Sequence, residues 1–330
     1  MSPAGGAPAQ RAMSGAAMVS NKGEAALAAN PAEVASLRGL SVYASGDFSL
    51  SSTKPREANA KHRFLARPQL AAAWRLPAGF AVGLAWGRGA LAAAEPGVSL
   101  RHVPLHRMLT NLAWELLPWL RLGAALQLAT TENAAWKPEG GANPTWRGGR
   151  FAYATRAGLS VDIVPKRSTL ALVWEEALSL SSGRGGLPPL KTPHSLALAA
   201  WLGEAGHWEF ELNLVYGWQR SWADAQGEAQ AREDTLGLRT GMGLWLTPLL
   251  QLRAGGAVFL HRPPRRPSWL QPMDAWSGSL SAGALWRYGP LRTEIAWQML
   301  TGFESPQTPS PWLKQRISNL LSLGLAWNFD

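Results

Sequence analysis

The chain has 330 residues, 46% of them hydrophobic, and it contains no cysteine. That apolar fraction excludes global disorder, and the missing cysteine excludes a disulfide scaffold, a thiolate zinc site and a cysteine nucleophile. Lys and Arg outnumber Asp and Glu by 32 to 22, a formal charge of +10, yet charged residues make up only 16% of the chain, against about 25% in a typical soluble domain.

The amino-terminal part stands apart. Residues 10–38 are rich in alanine and show no two-residue alternation. Asn30 occupies an N-cap position, Pro31 the first helical position and Glu33 the third, with Gly39 past the end. The pattern predicts a short helix from Pro31 to Leu37, preceded by a looser helical piece. Residues 1–20 lack a basic stretch followed by an apolar run of secretory type.

After Gly39 the period changes to two. Leu40, Val42, Ala44, Phe48 and Leu50 alternate with Ser41, Tyr43, Ser45, Asp47 and Ser49. The same alternation runs through Leu120–Leu128, Trp208–Trp218 and Leu291–Met299. Fourteen such segments follow one another: 39–51, 64–76, 80–90, 105–116, 119–130, 148–163, 168–180, 193–202, 207–220, 233–246, 249–261, 274–287, 290–301 and 316–329. Short connections, such as Pro77-Ala78-Gly79, Leu117-Pro118, Pro165-Lys166-Arg167 and Tyr288-Gly289, alternate with longer ones centred near 57, 97, 139, 187, 226, 267 and 308. Strict parity puts the short and long connections at opposite ends of the strands, as in an outer-membrane barrel. No run of 18 apolar residues exists, and the best stretch, Leu116–Ala129, carries Arg121, so a membrane-spanning helix is excluded. A closed barrel crosses a bilayer by pairing every backbone group.

Aromatic residues fall into two belts. Trp74, Phe80, Trp114, Trp208, Trp286, Trp327 and Phe329 lie near the short-turn ends, and Trp86, Trp174, Trp218, Trp276 and Trp297 lie toward the long-loop ends. All take the apolar phase, which marks two interfacial girdles. The opposite phase, toward the lumen, carries Arg75, Arg121, Arg156, Arg239, Arg253 and Arg292 with Asp47, Glu115, Asp162, Glu175, Glu209, Glu211 and Glu294. Most of these arginines are expected to pair with the acids and brace the wall. A ligand carboxylate in the lumen would need a cation, for which Arg239 and Arg253 are the candidates.

These features predict an all-β protein, a 14-stranded antiparallel transmembrane β-barrel (39–330), with residues 1–38 as a small helical plug inside the lumen. A barrel of this size needs water or a plug to fill it. The address is the cell outer membrane, and the natural precursor is expected to be longer, with a signal peptide. At the end of the chain Ser322-Leu323-Gly324-Leu325-Ala326-Trp327-Asn328-Phe329 resembles the signal by which outer-membrane barrels reach their assembly machinery, with Gly324, Trp327 and Phe329 as its marks and Asp330 as a departure.

Other chemistries fail on context. Gly87-Arg88-Gly89-Ala90-Leu91-Ala92 imitates a dinucleotide fingerprint without a βαβ unit. Gly241-Met242-Gly243 lies inside a strand, and no Gly-x-Ser-x-Gly sits at a strand-to-helix turn. His194 and Ser195 are adjacent and so point to opposite faces. The histidines are scattered without metal-ligand spacing, so no catalytic residue, cofactor or metal site is expected. The basic groups Arg101, His102, His106, Arg107 and Arg262, Arg265, Arg266 mostly fall between apolar segments, which argues against nucleic acid. The loop from His261 to Pro267 suits anionic lipopolysaccharide.

The sequence resembles the FadL family of outer-membrane transporters for long-chain fatty acids and hydrocarbons. The resemblance begins at Gln10-Arg11-Ala12-Met13-Ser14-Gly15-Ala16 and passes through Glu24-Ala25-Ala26 to Asn30-Pro31-Ala32. It continues in Leu252-Arg253-Ala254-Gly255, followed by Pro263 and Pro264, and in the barrel end. It implies passive diffusion of hydrophobic small molecules, with the amino-terminal plug as a moving hatch gated at Asn30, Pro31 and Ala32. It also implies a sideways exit at a kink in the third strand, where Gly83, Gly87 and Gly89 match. Outer-membrane lipids, lipopolysaccharide and the assembly machinery are the implied partners. A non-conducting barrel acting as anchor or receptor through its long loops is the alternative, and an outer-membrane enzyme a third, disfavoured reading.

Overall fold

The computed structural model describes residues 11–20, 23–54, 61–95, 98–131, 151–180, 190–191, 194–204, 206–218, 234–261, 274–304 and 315–329. Sixteen strands follow in chain order. They are β1 (Leu40–Lys54), β2 (Lys61–Arg75), β3 (Phe80–Glu95), β4 (Val98–Leu117), β5 (Leu120–Thr131), β6 (Phe151–Val164), β7 (Ser168–Glu175) and β8 (Ser179–Leu180). Then come β9 (Leu190–Lys191), β10 (His194–Glu204), β11 (Trp208–Trp218), β12 (Asp234–Trp245), β13 (Leu250–His261), β14 (Asp274–Tyr288), β15 (Leu291–Glu304) and β16 (Gln315–Phe329). Fourteen of them close into one antiparallel barrel in which sequence neighbours pair, and β8 with β9 forms a separate small hairpin. The ring is sealed between β1 and β16, from Leu40 against Phe329 to Lys54 against Gln315.

Because side chains alternate across a strand, each strand separates two environments. Along β6 exposed and buried residues alternate from Phe151 to Thr155 and onward to Gly158. The outer face is Leu, Val, Trp and Phe, including Val42, Leu70, Trp74, Leu112, Leu198, Trp286 and Leu325, all exposed. An outward apolar band over a polar interior is what a transmembrane β-barrel carries. Two aromatic contacts reinforce the short-turn girdle: Phe80 stacks on Trp114 with ring centres 5.2 Å apart, and Trp327 lies 6.2 Å from Phe329.

The short turns depend on backbone that few residues tolerate. Gly289 turns β14 into β15 at φ +58°, and Lys166 takes φ +62° between β6 and β7, a left-handed conformation that costs a non-glycine residue roughly 1 kcal/mol.

Two expectations about the elements need correction. The fourth strand begins at Val98, so the basic group at 101–107 lies inside a strand and not between segments. The seventh strand ends at Glu175 instead of near 180. Its continuation leaves the ladder because Leu178 turns inward and is buried with Leu105, Ala129, Ala152 and Ala154. The loop His261–Pro267 lies almost wholly outside the described residues.

Residues 11–20 and 23–37 touch inward-facing groups of β1, β3, β5, β6 and β11 to β14. These strands lie on opposite sides of the ring, so the segment sits within it. The predicted helix is a 3-10 turn, Pro31–Ser36, and a second one spans Gly23–Ala26. Wall side chains take carbonyls on either side of the turn: Arg75 donates to the Ala35 carbonyl and Arg156 to that of Ala28, at 2.7 Å. The Ser36 hydroxyl takes the Glu33 carbonyl at 2.7 Å.

Candidate functional site: the inner segment and the open seam

The inner segment rests on two seats, both in the short-turn half of the barrel. Asn30-Pro31-Ala32 lies over Gly123 of β5 and Gly158 of β6, which face each other in the ladder. A methyl group on Gly123 would fall 2.3 Å from the Pro31 carbonyl carbon, and one on Gly158 would fall 2.3 Å from the Asn30 side-chain oxygen. Ala12 and Met13 lie over Gly241, Gly255 and Gly283 of β12, β13 and β14 in the same way. Glycine is required because the backbone of one element meets that of another.

Polar side chains complete the hold. Asn30 caps its turn as expected, its oxygen accepting from the Ala32 N–H at 3.0 Å, and its amide also donates to Ser160 Oγ at 2.9 Å. Asn30, Ala32 and Glu33 are fully buried. The cap is therefore anchored in the wall. Arg121 bridges Glu33 at 3.0 Å and Asp162 at 2.7 Å. Glu211 accepts the N–H groups of Met18 at 2.5 Å and Ser20 at 2.8 Å, with Val19 between them. Asp47 takes the guanidinium of Arg11 through both oxygens, with Nε at 2.9 Å.

The arginine bracing follows the lumen phase. Arg75 pairs with Glu115 at 2.5 Å, Arg156 with Glu175 at 2.9 Å and Arg292 with Glu294 at 3.0 Å. Arg253, one of the two carboxylate-binding candidates, is engaged by Glu209 at 3.2 Å and by Gln251 at 3.0 Å. Arg239 has no carboxylate partner among the described residues. It reaches the Gly15 carbonyl at 3.5 Å and lies over the Phe259 ring at 5.1 Å, with its Nε buried and unbonded.

The third strand differs on its two edges. Against β4 it pairs from Phe80–Trp114 to Glu95–Val98, with one irregularity between Ala93 and Glu95. Against β2 it pairs only from Arg75–Ala81 to Gln69–Gly87. Lys61–Pro68 and Arg88–Glu95 form no further rungs with each other, although β2 stays paired to β1 as far as Lys61. Pro68, next to the last rung, has no N–H to offer a ladder. The three candidate glycines thus divide. Gly83 seats Leu27 of the inner segment, whose Cδ2 would lie 2.2 Å from an added methyl; Gly87 holds the last rung; Gly89 lies beyond it.

Gly324, Trp327 and Phe329 sit on β16 at the closing seam, opposite Ser45, Val42 and Leu40. His194 accepts through Nδ1 from the Ala177 N–H at 3.2 Å. Among the described residues no group of three or more His, Asp or Glu is placed to hold a metal ion. Arg11 and Arg67 join the site without having been expected there; the two-residue phase from Arg67 through Gln69 to Arg75 is the signal that places Arg67 in the lumen, and Arg11 has no such signal.

No protein-family model matches the chain, and no curated protein does. Solved structures do. The chain superimposes on a Pseudomonas aeruginosa FadL homologue with a TM-score of 0.74 at 14% identity, covering 98% of each chain. The fold is FadL-like. The Pseudomonas putida toluene transporter TodX matches with a TM-score of 0.68 at 16% identity, over 98% of both chains. The monoaromatic hydrocarbon channel CymD matches with a TM-score of 0.71 at 13% identity, covering 100% of this chain and 99% of that one. At such identities the shared property is architecture, and the residues that differ carry this FadL-like barrel's own chemistry.

Proposed function

We propose that this barrel is an outer-membrane passive transporter for hydrophobic molecules, hydrocarbons or fatty acids, with residues 1–38 as a hatch. The observation that carries the reading is the position of the open seam above the seats of the inner segment. The hatch fills the short-turn half, where all neighbouring strands are paired, and the unpaired stretch of β2 and β3 lies in the long-loop half. A lipophile entering from the loop side meets a blocked floor and an open wall. Leaving through that wall keeps apolar surface out of water on both sides, worth about 25 cal/mol per Å². The FadL-like neighbours named as toluene and hydrocarbon transporters support the same direction. Of the two carboxylate candidates Arg239 remains, since Arg253 is held by Glu209.

The test is a reversible closure of the seam. Because the chain has no cysteine, Pro68→Cys with Arg88→Cys makes a unique pair at the first missing rung. A cleavable bismaleimide across it should stop uptake of a hydrophobic substrate into proteoliposomes, and cleavage should restore it. Unchanged uptake through a fully cross-linked protein overturns the lateral exit and leaves the anchor reading.

A further inference from the structure

Asp47 of β1 stands directly opposite Arg67 of β2 on the lumen face. Opposite charges in that position ordinarily pair. Here they do not, because the carboxylate is already full. Its Oδ1 accepts from Arg11 Nε at 2.9 Å and Ser322 Oγ at 2.7 Å; its Oδ2 accepts from Arg11 Nη2 and from Gln69 Nε2 at 3.0 Å. Those four contacts use the acceptor capacity of a carboxylate. Arg67 is left with no carboxylate partner among the described residues, and its Nε is buried without a hydrogen bond.

Arg67 also stands at the lip of the seam. The last β2–β3 rung is Gln69–Gly87, so Arg67 is the next lumen-phase side chain on the β2 lip. The matching position on β3 is Gly89, which has no side chain to cover it. A guanidinium fork without a partner, beside an unpaired wall, recognises a planar two-oxygen anion.

We propose that Arg67 receives the anionic head of an amphiphile passing through the seam, and that Arg11 keeps Arg67 available by holding Asp47. This rests on the transport reading above. If Arg11 withdraws with the hatch, Asp47 becomes a buried carboxylate short of its main partner, which is costly, and Arg67 is the cation opposite it. Head group and Asp47 then compete for one guanidinium. Anion binding at the seam and seating of residue 11 therefore reinforce each other, and linkage makes the coupling reciprocal.

The experiment compares a fluorescent polyene fatty acid with the alcohol of the same chain, in proteoliposomes carrying the full chain. Arg67→Gln should cut the preference for the acid about tenfold, the worth of one charge-assisted hydrogen bond, and leave the alcohol unchanged. Arg67→Lys should keep part of the preference. Arg11→Gln should lose it as well, although residue 11 lies on the hatch, and Arg11→Gln with Asp47→Asn should bring it back. Retained heat-modifiability on gels establishes that each variant is folded. An acid preference untouched by Arg67→Gln, while the alcohol crosses normally, overturns this proposal alone. Failure of both probes to cross the unaltered protein overturns the transport reading with it. Liposomes with added phosphatidylglycerol separate a passing head group from a resident lipid phosphate. The preference should persist there, and its disappearance would assign Arg67 to the lipid and overturn the proposal.

Discussion

The two edges of β3 share every residue of the strand and end differently. Toward β4 the ladder runs to Glu95 and Val98, while toward β2 it stops at Gly87. Strand propensity therefore does not explain the opening, because the same residues are extended and paired on one side. The neighbour does, since Pro68 adjoins the last rung and cannot donate. The lesson is that an opening in a barrel belongs to one pair of edges. The rest of the ring can stay paired and the fold stays closed.

The largest effect that sharpens this contrast comes from the floor below the seam. Gly158→Leu places a side chain where the Asn30 oxygen and Pro31 ring now lie. Overpacking of that kind costs about 1–3 kcal/mol, enough to lift the hatch off its seat. Single-channel recording should then show large, ion-conducting openings from a barrel that is still heat-modifiable. A silent protein would mean that the seat at Asn30 does not seal the floor.

Next comes the seam itself. Gly87→Trp puts an indole at the last rung, where an added methyl already meets Gln69 Cγ at 3.3 Å. Substrate uptake should slow roughly tenfold, equivalent to about 1.4 kcal/mol of barrier, with the barrel intact. Normal uptake would assign Gly87 to packing and move the exit elsewhere. Pro68→Val approaches the same point from the other strand. Returning an N–H should let the ladder extend by a rung and reduce uptake about threefold, within the worth of one net hydrogen bond.

Hydrogen exchange tests the contrast without any substitution. From Arg88 to Glu95, amides directed at β4 should be protected and those directed at β2 should exchange at least about tenfold faster. Protection would then alternate with period two above Gly87 and be uniform below it. Uniform protection throughout would show that the two edges do not differ in solution.

The smallest effect is at the rim. The Thr155 hydroxyl at 2.8 Å and then its N–H at 3.1 Å hold the Glu176 carboxyl below the usual carboxylate range. A depressed carboxylate contributes stability above its unfolded value and loses it as pH falls through the folded one. The group is exposed, so solvent screening keeps the contribution small. The Thr155 amide should stay protected at pH values just below those that protonate an ordinary glutamate, and Glu176→Gln should make its protection, taken relative to the intrinsic exchange rate, independent of pH there.

Much of this was readable beforehand, and the reasons are specific. Period-two alternation is a local property, so Leu40, Val42 and Leu50 declared their outward face and Asp47 its inward one. Turn chemistry at Ala78-Gly79, Lys166 and Gly289 is equally local, which is why the short connections were placed correctly. Leu178 shows the limit. It continues the apolar run of the seventh strand, yet its burial among Leu105, Ala129, Ala152 and Ala154 depends on residues far away in sequence. Asn30 shows the same limit at the site. Its cap was legible from Asn30-Pro31, but its lock on Ser160 was not.

By itself the sequence determined the strand count, the two faces and the parity of the connections. Each of these follows from side-chain period and from turn residues acting within a few positions of one another. Only the tertiary structure decided which ladder stops, which acid each arginine takes and where the inner segment rests. Those outcomes depend on contacts between groups distant in the chain, as when Arg11 reaches Asp47 and leaves Arg67 without its opposite number. The periodic pattern puts Arg67 on the same face as Asp47, and only the closed ring, with the segment inside it, brings Arg11 to that carboxylate instead.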